Sequence, residues 1–107
     1  MKILDSLVEM VRVVHAASAK VARHDRDLAQ QMKRASSSAA LNGSEGVWAK
    51  AGKRRSRLED AVNSARETLM ALRLAGACGY LGPDEATVAV TEVDSVIAVL
   101  WVLAYRR

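Results

Sequence analysis

Apolar residues return at three- and four-residue intervals in four separate runs of this chain, a period that commits most of its length to helices with one buried face. The first run sets Ile3, Leu4, Leu7, Val8, Val11, Val14, Ser18 and Val21 in one stripe before "RHDRD" (23–27) interrupts it. The second begins at Asp25, a fitting N-cap, and turns Leu28, Met32, Ala35, Ala39, Asn42, Gly43 and Gly46 inward. Its inward side chains shrink along the chain, which lets a neighbouring backbone come close. Gly43 and Gly46 each cost about 1 kcal/mol against alanine in a helix interior, so a bend or the helix end is predicted between 43 and 52. The third run starts near Gly52 or Lys53 and carries Leu58, Ala61, Val62, Ala65, Leu69, Leu72 and Ala75, with Gly79 placed as a left-handed C-terminal residue. Pro83, Asp84 and Glu85 then restart the chain as a helix, the proline at its first position and the acids where the exposed amides favour negative charge.

The fourth run differs in kind. Val88, Val90, Val93, Val96, Ile97, Val99, Leu100, Trp101, Val102 and Leu103 cover more of the circumference than one core contact can bury. Such valine-rich sequence also fits a strand, but the length, the start signal and the lack of a hairpin partner favour a helix. An apolar surface of this kind calls for a second partner, so a homo-oligomer is expected with Val99, Trp101 and Val102 at the subunit contact. A monomer with a greasy last helix is the plainer alternative. Short connections predict one domain, an all-α up-down-up-down antiparallel four-helix bundle with helices near 2–22, 25–48, 53–78 and 83–106.

At 107 residues, half of them apolar but without phenylalanine, the chain has small side chains suited to close helix packing. A lone cysteine, Cys78, allows no internal disulfide and reads as a small buried hydrophobe. Asp5, Glu9 and Arg12 break any apolar leader, and residues 95–105 alone fall short of the roughly 20 apolar residues a membrane span needs. A cytoplasmic protein without a membrane partner is expected.

Charge is unevenly spread. Residues 20–57 hold ten Lys or Arg against three acids, while residues 58–107 hold seven acids against four bases. Lys50, Lys53, Arg54, Arg55 and Arg57 cluster at the start of the third helix; Lys33 and Arg34 lie two turns into the second, between that cluster and Lys20, Arg23 and Arg26. The cluster is either a phosphate-contacting patch or the solvated start of a helix, and antiparallel packing does not by itself unite the two basic groups. Trp48 is the one aromatic residue among these cations, and it has an alternative place against Leu58 or Val62. Asn42, Glu45 and Glu67 read as structural polar residues that set helix register, with Glu45 or Glu67 accepting from an Arg or Asn42. His15 and His24 lack zinc-ligand spacing, Ser36, Ser37 and Ser38 lack a nucleophile motif, and no catalytic set, metal site or cofactor is expected.

The runs "QMKRASSSAALNGSEG" (31–46) and "NSARETLMALRLAGACGYL" (63–81) resemble the bacterial four-helix-bundle proteins encoded in intervening sequences of 23S ribosomal RNA genes. Relatives of that family include accessory variability proteins of diversity-generating retroelements. Gln31, Arg34 and Ala35 match its "Q-x-R-R-A"; Ser38, Asn42, Glu45 and Gly46 its "S-I-P-A-N-I-A-E-G". Ser64 and Glu67 match "G-S-x-x-E", and Leu72, Ala75, Gly79, Tyr80 and Leu81 match "L-x-x-A" and "L-G-Y-L". Ala40 stands where the family has proline, implying a milder kink, and Gly43 and Ser44 replace an apolar pair.

The resemblance implies a ring-forming helical protein, often a pentamer, with no recognised enzymatic activity. Through the retroelement relatives it also implies RNA binding and partnership with a reverse transcriptase. The leading expectation is therefore a non-enzymatic homo-oligomer that binds nucleic acid, RNA before DNA, through Lys33, Arg34 and the 50–57 cluster. A protein-docking module for a partner such as a reverse transcriptase is the alternative, and an enzyme with an unrecognised site the remaining class.

Overall fold

A computed structural model describes residues 2–106. Four helices make up almost all of it: α1 (Lys2–Val21), α2 (Arg26–Trp48), α3 (Ala51–Ala77) and α4 (Pro83–Tyr105). Each packs on its neighbours in sequence and α4 closes on α1, so α2 and α4 stand diagonally across the bundle. The particle measures 43 × 22 × 19 Å, elongated as helices of this length at about 1.5 Å per residue require. The antiparallel four-helix bundle is as expected.

The punctuation follows the residues that encode it. Asp25 accepts a hydrogen bond from the Leu28 amide at 2.9 Å and starts α2. Gly79 takes φ +76°, and behind it the Tyr80 amide donates to Ala75 at 2.9 Å and the Gly79 amide to Gly76 at 3.1 Å. These are the paired bonds of a Schellman ending, which satisfy carbonyls that the helix leaves open. Pro83 occupies the first turn of α4. Between α2 and α3 only Ala49 and Lys50 intervene, and the tightness of this turn leaves Ala51 at φ +44°.

Inward rows of α1 (Ile3, Leu7, Met10, Val14, Ala17, Val21) and α4 (Ala89, Val93, Val96, Leu100, Ala104) close on the alanine-rich faces of α2 and α3. Of the two outcomes predicted between 43 and 52 the helix end is the one observed: α2 runs through both glycines and stops at Trp48. A Cβ on Gly46 would stand 2.7 Å from Leu58 Cγ and 3.2 Å from the Leu58 amide nitrogen, and one on Gly43 would stand 2.9 Å from Leu7 Cδ1. The glycines thus permit a close interhelical approach in this part of the bundle, as the shrinking inward row implied.

Three side chains depart from expectation. Val8 is exposed, because the seam of α1 advances through Leu7, Met10 and Val14 and leaves Val8 on an outer row. Cys78 is exposed, since it caps α3 one residue beyond the end of the helix. Trp48 is 70% exposed and so is not buried beside Leu58 or Val62. In addition, α4 taken whole is long and apolar enough to cross a membrane, a length that residues 95–105 alone did not reach. Any such stretch still includes Glu92 and Asp94, costly groups in hydrocarbon.

Candidate nucleic-acid interface

The outer side of α2 carries three adjoining grooves. The first, against α1, is lined by Arg26, Gln30, Lys33 and His15; the second by Lys33, Arg34, Asn42 and Arg57; the third by Trp48, Lys53 and Arg57. Lys33 is common to the first two and Arg57 to the last two, so cations from the start of α2 and the start of α3 line one continuous face. Antiparallel packing left the two basic groups separate on paper; the length of α2 joins Arg26 to the start of α3 through Lys33 and Arg34, whereas Lys20 turns to Glu85 of α4.

The 50–57 cluster divides by role. Arg54 turns back to donate to the Val47 carbonyl at 3.0 Å, capping the C-terminus of α2 and offsetting its negative dipole end. Arg57 pairs with Glu45 at 3.3 Å across the α2–α3 seam. The Arg55 guanidinium lies 4.9 Å over the Tyr105 ring and 3.9 Å from Glu59. Lys50 and Lys53 are exposed and make no ion pair among the described residues, and the same is true of Lys33 and Arg34. Those four cations are therefore available to an external anion, while the arginines of the cluster hold helix ends together.

Polar residues beneath this face lock the helices. Ser38 and Ser64 hydroxyls meet at 2.9 Å between α2 and α3, Asn42 donates to the Ser38 carbonyl at 3.0 Å, and Thr68 donates to the Ser64 carbonyl at 2.9 Å. The Ser37 hydroxyl lies 3.3 Å from His15 Nε2, linking α2 to α1. Thus Ser38, Asn42 and Ser64, motif residues far apart in sequence, converge on one seam. Glu45 takes an arginine as anticipated, but Asn42 serves its own helix, and Glu67 is exposed without an ion pair among the described residues. The buried Thr68 was missed by a search for apolar periodicity; only its place in the inward row, between Ala65 and Leu72, signals it.

Diagonally opposite, α4 carries Asp84, Glu85, Glu92 and Asp94 and no Lys or Arg. Val99, Trp101, Val102 and Tyr105 stand partly exposed over its last two turns, at 44, 46, 46 and 39%. Trp101 packs on Tyr105 with ring centroids 4.3 Å apart, and the Arg66 guanidinium sits 5.5 Å from the Trp101 ring. Among the described residues no three His, Cys, Asp or Glu side chains group as metal ligands.

No curated protein matches the chain by sequence. In three dimensions it is similar to the crystal structure of a protein of unknown function from the S23 ribosomal protein family of Bacteroides thetaiotaomicron. That likeness has a TM-score of 0.88 at 16% identity and covers 96% of this chain and 98% of the other, which speaks to the fold. The family model of the 23S rRNA-intervening sequence proteins matches residues 1–101, nearly the whole length over which the bundle and its serine–asparagine seam extend. The chain belongs to the 23S rRNA-intervening sequence protein family.

Proposed function

We propose that this chain is a non-enzymatic accessory protein of the cytoplasm that assembles with copies of itself and binds nucleic acid, RNA in particular, through the outer face of α2 and the start of α3. The observation that carries the reading is the unpaired set Lys33, Arg34, Lys50 and Lys53 on or beside one line of grooves, with α4 and its acids on the far side. A one-sided cationic field attracts phosphates without regard to sequence, and its affinity falls steeply with salt. Assembly is supported by the apolar end of α4, where covering Val99, Trp101, Val102 and Tyr105 removes a contiguous apolar strip from water. A ring, such as the pentamer the family resemblance implies, multiplies the cationic face and adds avidity.

The test is a salt series with unstructured and duplex RNA. Replacing Lys33, Arg34, Lys50 and Lys53 together by glutamine should weaken binding and lower the salt slope by about 1 for each phosphate left without its cation, with the helical content unchanged. RNA binding that is absent at low salt overturns the proposal. Trp101→Glu should reduce the mass measured by light scattering; an unchanged mass moves the subunit contact elsewhere. The second reading, a docking module for a protein such as a reverse transcriptase, is favoured by the same strip on α4. In that case the four-glutamine variant still captures its partner and Trp101→Glu does not.

A further inference from the structure

Among the described residues Trp48 is the most exposed of the large apolar side chains, and it closes α2 at the tip of the bundle where Lys50 and Lys53 follow. An indole left open to water in this way gains nothing for the fold. Its surroundings are unusual for a helix C-terminus, where open carbonyls present a negative end that repels phosphate. Here Arg54 donates to the Val47 carbonyl and reaches toward that of Gly46, and Arg57 neutralises Glu45 beside it. The groove that Trp48 lines with Ser44, Glu45, Ala49, Lys53 and Arg57 therefore keeps one positive charge in excess, that of Lys53, on an end of the helix that would otherwise be anionic. The chain reaches α3 through Ala51 at φ +44°, a left-handed conformation costly for any residue but glycine, and the turn holds Lys50 and Lys53 within five residues of the indole.

An aromatic face flanked by unpaired lysines matches an unpaired nucleotide, which offers a base to stack and phosphates on either side. A duplex keeps its bases stacked on one another and offers the tip only its phosphates. We infer that Trp48 is a stacking platform for a base of single-stranded RNA, with Lys53 and Lys50 contacting the flanking phosphates. This rests on the proposed nucleic-acid binding and adds to it a preference for unpaired strands.

The experiment compares an unstructured oligouridine with a blunt RNA duplex of the same length, on the wild-type protein and on Trp48→Ala and Trp48→Phe. Trp48→Ala should lose about tenfold in affinity for the single strand, in the range that truncation of one stacking aromatic produces, and keep its duplex affinity. Trp48→Phe should retain most of the single-strand affinity while the tryptophan fluorescence quenching that accompanies binding largely disappears. Since the side chain is exposed, neither variant should change helical content. If the wild type binds both RNAs and Trp48→Ala binds them equally well, the platform is overturned and the nucleic-acid reading stands. If the wild type binds neither RNA, that reading fails and the platform with it. A changed particle mass for Trp48→Ala also overturns the platform, by assigning Trp48 to a contact between copies.

Discussion

The two ends of the bundle are built on opposite plans. At the end holding the α1–α2 and α3–α4 connections, the loops satisfy one another. His24 stacks on Tyr80 with centroids 5.1 Å apart and planes within 5°, Leu81 is buried, Asp25 caps α2, Gly79 closes α3, and Lys20 pairs with Glu85. At the other end a two-residue turn leaves Trp48, Lys50 and Lys53 exposed, Ala51 in a left-handed conformation, and the apolar end of α4 uncovered. One end commits its side chains to closing the fold; the other keeps cations and aromatic surface free for something else. Under the proposed function the tip built around the α2–α3 turn is the working end, and its exposure is compatible with a firm bundle because the seam one turn inward is tight.

That seam is where the largest effect is expected. In Gly46→Ala the new methyl meets Leu58 at 2.7 Å and the α3 backbone at 3.2 Å, so the helices must separate. Overpacking of this kind costs about 1–3 kcal/mol and outweighs the roughly 1 kcal/mol that alanine adds to helix propensity. The net loss, about 1 kcal/mol at the middle of that range, should lower Tm by about 5 °C. A Tm that rises instead would mean the open end is loose down to its second turn, and the comparison between the ends would break.

The ends themselves are compared by exchanging glycine and alanine at their left-handed residues. Gly79→Ala should destabilise by about 1 kcal/mol, since φ +76° is held there by the Schellman bonds. Ala51→Gly should do the reverse on a smaller scale, stabilising by about 0.5 kcal/mol as the strain at φ +44° is relieved against a more flexible unfolded chain. Urea midpoints at unchanged slope measure both. Equal signs for the two variants would show that the α2–α3 turn carries no strain.

The closed end was largely legible in the sequence and the open end was not, for a physical reason. Asp25, Gly79 and Pro83 act through their own backbone conformation and that of adjacent residues, so type and position suffice to place a cap, a stop and a start. The inward rows are legible in the same local way, although a four-residue step from Leu4 led to Val8 and off the seam that Met10 and Ala17 complete. The fate of a cation at the open end depends on which carbonyl or carboxylate another helix brings within reach. Five neighbouring positive charges look alike until α2 presents its terminal carbonyls to Arg54 and Glu45 to Arg57. Exposure of Trp48 depends likewise on the path the chain takes after α2, through extended Ala49 and Lys50 and into α3 at Ala51, where no local preference predicts a positive φ.

The smallest expected effect sharpens the comparison at the edge of the apolar strip. The Tyr105 hydroxyl donates to Glu59 Oε2 at 2.7 Å, and this bond, followed by partial desolvation and the carboxylate's charge, holds the phenol above its ordinary value. The group keeps its proton to a higher pH folded than unfolded. Its contribution to stability is therefore complete below the unfolded phenol's pKa of about 10 and is lost as pH rises through the folded value. In a Tyr80→Phe background, which keeps a ring for the His24 stack, Tyr105 is the only tyrosine, and its ionisation can be followed by tyrosinate absorbance. The midpoint should lie above about 10 and fall when Glu59→Gln removes the charged acceptor. A midpoint at or below the ordinary value would mean that the α3–α4 contact opens in solution. If copies of the chain cover this strip, further desolvation raises the midpoint as protein concentration increases, so one titration repeated at two concentrations reports both the contact within the bundle and the contact between bundles.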